Sequence, residues 1–327
     1  MSLRALRALA AVALSMATAC SPAAVGAPSA LDDAGVDGAV PPAVVLSCQN
    51  YAYAYCNFLN GCSSTFLVTR WGTQAACEAA LNTTCTYANL APSSLQSPAT
   101  TDDCTSKLTP DSWQCSDFLY SQNRPPACAN QASGSKANGA SCAINQQCQS
   151  SYCATPIGHA CGTCQPLPSA GSSCATYECP TGLQCTSSTC VALALSGAAC
   201  STSQPCGEGL TCTAGSCEPG ATMSGAPCTV GGPGCAEVDG LVCNAASSTC
   251  QTLMVPAVGQ PCGVVGDQAT VCPAAVCLRG VCVANRQVGE SCELGGSVPC
   301  VTSARCILPG DGGTTGTCQI NGSTSCE

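Results

Sequence analysis

Gly171-Ser172-Ser173-Cys174-Ala175-Thr176-Tyr177-Glu178-Cys179-Pro180-Thr181-Gly182-Leu183-Gln184-Cys185-Thr186-Ser187-Ser188-Thr189-Cys190 is one complete copy of the pattern that decides the fold. A glycine stands three places before the first of four cysteines. The same phase returns at Gly139/Cys142, Gly197/Cys200, Gly225/Cys228, Gly259/Cys262 and Gly289/Cys292. The opening cysteines step by 32, 26, 28, 34 and 30 residues, so more than half of the chain is a degenerate array of one small module. The other groups are Cys142, Cys148, Cys153 and Cys164, with Cys161 among them; Cys200, Cys206, Cys212 and Cys217; Cys228, Cys235, Cys243 and Cys250; Cys262, Cys272, Cys277 and Cys282; and Cys292, Cys300, Cys306 and Cys318.

Cysteine supplies 35 of 327 residues, the density of a disulfide scaffold, which needs an oxidising compartment. The N-terminus reads as an export signal over residues 1–19: Arg4 and Arg7 precede the apolar stretch Ala8–Ala17, too short to span a bilayer. It ends Ala17-Thr18-Ala19-Cys20. That is an A-x-A cleavage site, and it also resembles a bacterial lipobox, with Ala17 where leucine is usual; the lipobox reading makes Cys20 the lipidated first residue. Parity favours lipidation, because setting Cys20 aside leaves an even number that can pair completely. The alternative is a soluble secreted protein. No later stretch has the apolar length of a transmembrane helix.

Charged residues are 8% of the chain and the net charge is −9, falling further once the basic leader is removed. Lys107, Lys136 and scattered arginines form no patch, which excludes nucleic acid as a partner.

Residues 20–46 read as a lipidated cysteine followed by a disordered tether rich in Ala, Pro and Gly, with Pro22, Pro28 and Pro41-Pro42 against a continuous helix. Residues 47–130 differ. Both tryptophans, all three phenylalanines and five of seven tyrosines fall here, so this is where an apolar core is feasible. Cys48, Tyr51, Tyr55, Leu59 and Cys62 recur at helical spacing, as do Cys77, Ala80, Leu81 and Cys85 after a start near Thr73. Thr109-Pro110-Asp111 offers a third helix start, and Asp102-Asp103 read as the first turn of another. Cys48/Cys56 and Cys77/Cys85 share an eight-residue spacing, about 80° around a helix. Two antiparallel helices so marked can exchange the bridges Cys48–Cys85 and Cys56–Cys77, one solution among the 105 pairings that eight cysteines allow.

The remainder divides into modules at 138–169, 170–195, 196–223, 224–257, 258–287 and 288–327. Each repeat of ~30 residues faces roughly 45 kcal/mol of conformational entropy at ~1.5 per residue, with little apolar area against it. Two bridges per repeat contribute about 2–4 kcal/mol each by shrinking the unfolded ensemble. The cysteines are therefore the core. Gly182-Leu183, Gly209-Leu210 and Gly240-Leu241 place a turn glycine and a buried leucine before the third cysteine, and a short hairpin joins the third and fourth, as around Gly280. The six phased glycines are expected at positive φ in the turns between modules. The fold class is thus small and disulfide-rich: a short helical cysteine-rich domain, then about six tandem four-cysteine β-hairpin modules.

The spacing Cys142, Cys148, Cys153, Cys161, Cys164, Cys174, Cys179, Cys185, Cys190 resembles Dickkopf-type N-terminal cysteine-rich domains and the related colipase-like and EB-type modules. That family has an adjacent cysteine pair where Cys179 stands alone, so its pairing does not carry over whole. The resemblance implies crossed 1–3, 2–4 pairing within each group, for example Cys174–Cys185 and Cys179–Cys190; it assigns no partner to Cys161 or Cys326. The whole layout resembles cysteine-rich lipoproteins of myxobacteria, which implies a cell-envelope location, at the outer membrane or cell surface, and no activity.

No catalytic, cofactor or metal set can be assembled. Cys161-Gly162-Thr163-Cys164 has the C-x-x-C form of oxidoreductases but lacks the strand–helix setting that lowers a thiol pKa. His159 is the sole histidine and reads as a loop residue, with no nucleophile–acid pair around it. The expected function is non-enzymatic: a surface protein whose variable loops, Thr229–Gly234, Gly263–Thr270 and Gly310–Gly316, meet an extracellular protein or glycan, or a structural spacer. The competing class is a protease inhibitor with a rigid reactive loop.

Overall fold

The computed structural model describes residues 39–119, 124–129, 133–174, 179, 183–201, 203–207, 210–229, 234–236, 239–265, 268–310, 313–320 and 326. The export signal, Cys20 and most of the tether lie outside them.

Six helices open the described chain: α1 (Pro42–Cys62), α2 (Ser64–Trp71), α3 (Gln74–Leu90), α4 (Pro98–Thr105), α5 (Cys115–Leu119) and α6 (Pro126–Ala129). Pro42 occupies the first helical position of α1, where its missing N–H costs nothing. The proline pair therefore starts a helix inside the stretch read as tether, and Pro42–Leu46 belong to α1. Ser63 caps α2 by accepting the Phe66 amide at 3.0 Å, and Thr73 caps α3 by accepting that of Ala76 at 3.1 Å. Ser97 and Thr100 form a capping box on α4. That cap corrects the reading of Asp102-Asp103, which lie in the second turn of α4 rather than its first. Asp102 instead accepts the buried Ser47 hydroxyl at 2.7 Å, tying α4 to α1. Thr109-Pro110-Asp111 also needs correcting: it makes a single turn, with the Ser112 and Trp113 amides on the Thr109 carbonyl, and helix resumes only at Cys115.

Helices α1 and α3 are joined by Cys48–Cys85 and Cys56–Cys77, the exchange that the eight-residue spacing allows. Cys62–Cys115 fixes α5 to the end of α1, and Cys104–Cys128 fixes α6 to α4. Between them Phe58, Leu59, Leu67, Trp71, Trp113 and Phe118 form an aromatic core. Phe118 is its hub, edge-on to Phe58, Trp113 and Tyr55 with ring centroids 4.8, 4.9 and 5.1 Å apart, contacts worth about 0.5–1.5 kcal/mol each beyond burial.

The rest of the described chain is antiparallel β structure stapled by crossed bridges. The pairs are Cys142–Cys153 with Cys148–Cys164, Cys174–Cys185 with Cys179–Cys190, and Cys200–Cys212 with Cys206–Cys217. Cys228–Cys243 with Cys235–Cys250, Cys262–Cys277 with Cys272–Cys282, and Cys292–Cys306 with Cys300–Cys318 repeat the pattern. In each module a hairpin sets the third cysteine opposite the fourth, as Cys185 faces Cys190 and Cys277 faces Cys282. Ser187-Ser188, Ala214-Gly215 and Arg279-Gly280 are two-residue turns with both φ positive, the geometry that matches strand twist. The fourth-cysteine strand is central: it also pairs with the segment carrying the first cysteine, as a full strand at Ser141–Cys142 and Ser291–Glu293 and as single bridges such as Ser173 to Thr189. Cysteines make up most of the buried clusters in this half. Of the leucines expected to be buried, only Leu241 is; Leu183 and Leu210 are half-exposed.

The modules are coupled closely. Ala194, Ala221, Met254 and Arg286, just before a module's glycine, pair in parallel with Cys206, Cys235, Thr270 and Cys300 of that module. A strand leaving one hairpin thus enters the next unit within a few residues. The array also turns back on the helices. The Ala274 amide donates to the Thr69 carbonyl at 3.0 Å, the Thr302 hydroxyl to that of Arg70 at 2.8 Å, and the Gln147 side chain to that of Pro92 at 3.0 Å, while Ala236 joins the aromatic core. Finally Cys161 of the first module bonds Cys326 across 165 residues, and the Leu308 amide donates to the Gly158 carbonyl at 2.8 Å beside that closure. The first and last modules are joined.

Candidate functional site

Three features with chemical potential come from the sequence: the cysteines, the single histidine and the aromatic domain. The 17 disulfides consume every cysteine after Cys20. Cys161 and Cys164, the C-x-x-C pair, are bonded not to each other but to Cys326 and Cys148, so the motif is two halves of two different staples. Close sulfur triplets such as Cys142, Cys148 and Cys164 arise because neighbouring bridges stack, and those sulfurs are already bonded. His159 is exposed in the loop after Pro156, whose carbonyl accepts its amide at 3.1 Å.

The aromatic domain offers more. Beside the Phe118 hub lies a cavity of about 310 Å³, walled by residues of α1, α3 and α4 and by Trp113, Phe118, Arg124, Ala127 and Cys128. Tyr55, Trp113 and Phe118 supply ring surfaces, and Tyr51, Gln96, Gln146, Arg124, Thr84, Thr100 and Thr101 supply polar ones. The helix spacing that places Cys48 and Cys56 on the α3 side of α1 also places Tyr51 and Tyr55 along the cavity wall. Burial, and then the neighbouring Tyr55, push the Tyr51 hydroxyl well above the usual phenol range, while the positive charge of Arg124 acts in the other direction. The three groups therefore converge on one place. The Arg124 guanidinium also stands 6.0 Å from the Trp113 ring centroid. The Gln96 side-chain oxygen is closed off from solvent and accepts no hydrogen bond, while its amide nitrogen donates to the Thr101 hydroxyl at 3.5 Å. Its described lining residues include no histidine, carboxylate or free thiol.

Arg124 and Gln96 carry no motif and do not stand out in the sequence. Their only signal is compositional, since Arg124 is one of three basic residues between 47 and 130. The loops expected to vary are described in part. Gly263–Val265 and Gln268–Thr270 form a small hairpin of their own, while residues 230–233, 266–267 and 311–312 lie outside the described set.

No family model, curated protein or solved structure matches the chain. No helix among the described residues is long and apolar enough to cross a membrane.

Proposed function

We propose that the chain is an exported bacterial surface protein, lipid-anchored at Cys20 in the outer membrane, that acts by binding and not by catalysis. The observation that carries this reading is the closure of the scaffold. With every cysteine after Cys20 in a bridge, the protein is built to hold surface loops in fixed positions under oxidising conditions. The 17 bridges use an even number of cysteines and leave Cys20 over, which supports its assignment to an acyl anchor. The likeness of the repeats to Dickkopf-type, colipase-like and EB-type modules, and of the layout to myxobacterial lipoproteins, fits an envelope location. The partner is an extracellular protein or glycan.

The Cys161–Cys326 bond favours binding over a spacer role, because an array whose last module is joined to its first gains no reach from its length. A protease inhibitor would use the same rigidity, and a panel of serine, cysteine and metalloproteases separates it by stoichiometric inhibition with an intact inhibitor. The test of the main reading is cell fractionation with Cys20→Ser beside the unaltered protein, followed by binding of the purified oxidised and reduced forms to envelope glycans and intact cells. The reading expects membrane retention that depends on Cys20 and binding that reduction abolishes. A soluble wild-type protein, or equal binding by the reduced form, contradicts it.

A further inference from the structure

The aromatic-domain cavity has a volume of about 310 Å³, at the small end of the range that holds a discrete ligand. Its walls make two demands on an occupant. Tyr55, Trp113 and Phe118 present ring faces and edges that suit a flat apolar body. The polar demand comes from a charged side chain. Arg124, exposed at the rim, is the only charged group among the described lining residues, although the chain as a whole carries −9. No carboxylate there competes for its guanidinium, which calls for an anion with two acceptor oxygens. The Tyr51 hydroxyl lies within the field of that guanidinium and adds a second donor.

We propose that this cavity binds a small aromatic carboxylate, of the phenylacetate type. The carboxylate meets Arg124 at the rim, and the ring lies among Tyr55, Trp113 and Phe118. This site is separate from the exposed loops of the array and stands whether or not Cys20 is lipidated.

Isothermal titration of the intact oxidised protein with phenylacetate and its neutral amide tests it. The expected result is saturable binding of the acid at one site, with the amide weaker by about tenfold or more. Arg124→Gln should remove the preference for acid over amide. Near-ultraviolet circular dichroism and unreduced mass check that the variant is folded and fully bridged. Should Arg124→Gln fail to fold, the amide comparison on the unaltered protein still decides. Equal binding of acid and amide, or no saturable binding at millimolar concentration, overturns the proposal.

Discussion

The amide of Gly171 donates to the carbonyl of Cys190 at 2.8 Å, so the residue that opens a module is bonded to the cysteine that closes it. Gly139, Gly197, Gly225, Gly259 and Gly289 make the same bond to Cys164, Cys217, Cys250, Cys282 and Cys318. All six glycines have φ between 78° and 92°, and a Cβ added to any of them would meet open space. The phase that marks the repeat is thus a backbone requirement at a closing turn.

Gly289→Ala should cost about 1–2 kcal/mol, the penalty for an L-residue in the left-handed region, with no steric term. Gly316→Ala in the same module should cost more, because a Cβ there runs into the Ile307 carbonyl. Hydrogen exchange of the 304–320 hairpin measures both: modest deprotection in the first variant, extensive in the second.

In every module the fourth cysteine is buried. Cys190, Cys217 and Cys282 are at most 1% exposed, whereas their hairpin neighbours Cys185, Cys212 and Cys277 are exposed. Thiolate attack needs access to sulfur. Limiting reductant should therefore open Cys174–Cys185, Cys200–Cys212 and Cys262–Cys277 before their crossed partners. Timed alkylation and peptide mapping would show the order, and simultaneous loss of both bridges in a module would count against it.

Much of this architecture is legible in the sequence, and the reasons for the rest are physical. Cys48, Cys56, Cys77 and Cys85 declare their partners through helical spacing, and the four-cysteine groups recur often enough to show a unit. The staple between Cys161 and Cys326 has no such signal, since a contact across 165 residues leaves no periodicity. The return of the array onto α2 is equally silent, because backbone groups such as the Ala274 amide and the Thr69 carbonyl make the contact and any residue type supplies them. Asp102 misleads for a related reason: Ser97 takes the cap, which frees the carboxylate to receive Ser47. The charged group of the cavity, Arg124, acquires meaning only once α4, Trp113 and Phe118 are in place beside it.

Paired replacement Cys161→Ser with Cys326→Ser should leave all the module bridges intact and loosen only the closure. A long-loop bridge contributes about 2–4 kcal/mol, so the contact between Leu308 and Gly158 should open first. Small-angle scattering should report a larger radius and hydrogen exchange faster loss at 305–310, with the helical domain unchanged. An unchanged radius would show that the closure does not depend on the bridge.

Tyr51 gives the protein an alkaline limit. Its hydroxyl is held above the ordinary phenol value of 10.0, chiefly by burial, so the folded state keeps a proton that the unfolded chain loses from about pH 10. The corresponding stability is complete below that pH and declines as pH rises toward the folded value. Melting temperature measured across the alkaline range should therefore fall less steeply in Tyr51→Phe than in the unaltered protein. Parallel slopes would remove Tyr51 as the cause.

The central claim is that every cysteine after Cys20 is a structural staple and that Cys20 alone is set apart for the anchor. Intact mass of the membrane-extracted protein, taken before and after reduction, tests it most directly. The account predicts a diacylglyceryl adduct on Cys20, no thiol open to alkylation before reduction, and a gain of 34 hydrogens on opening the 17 bridges. Free thiols within the modules, or an unmodified Cys20 in the membrane fraction, would contradict it.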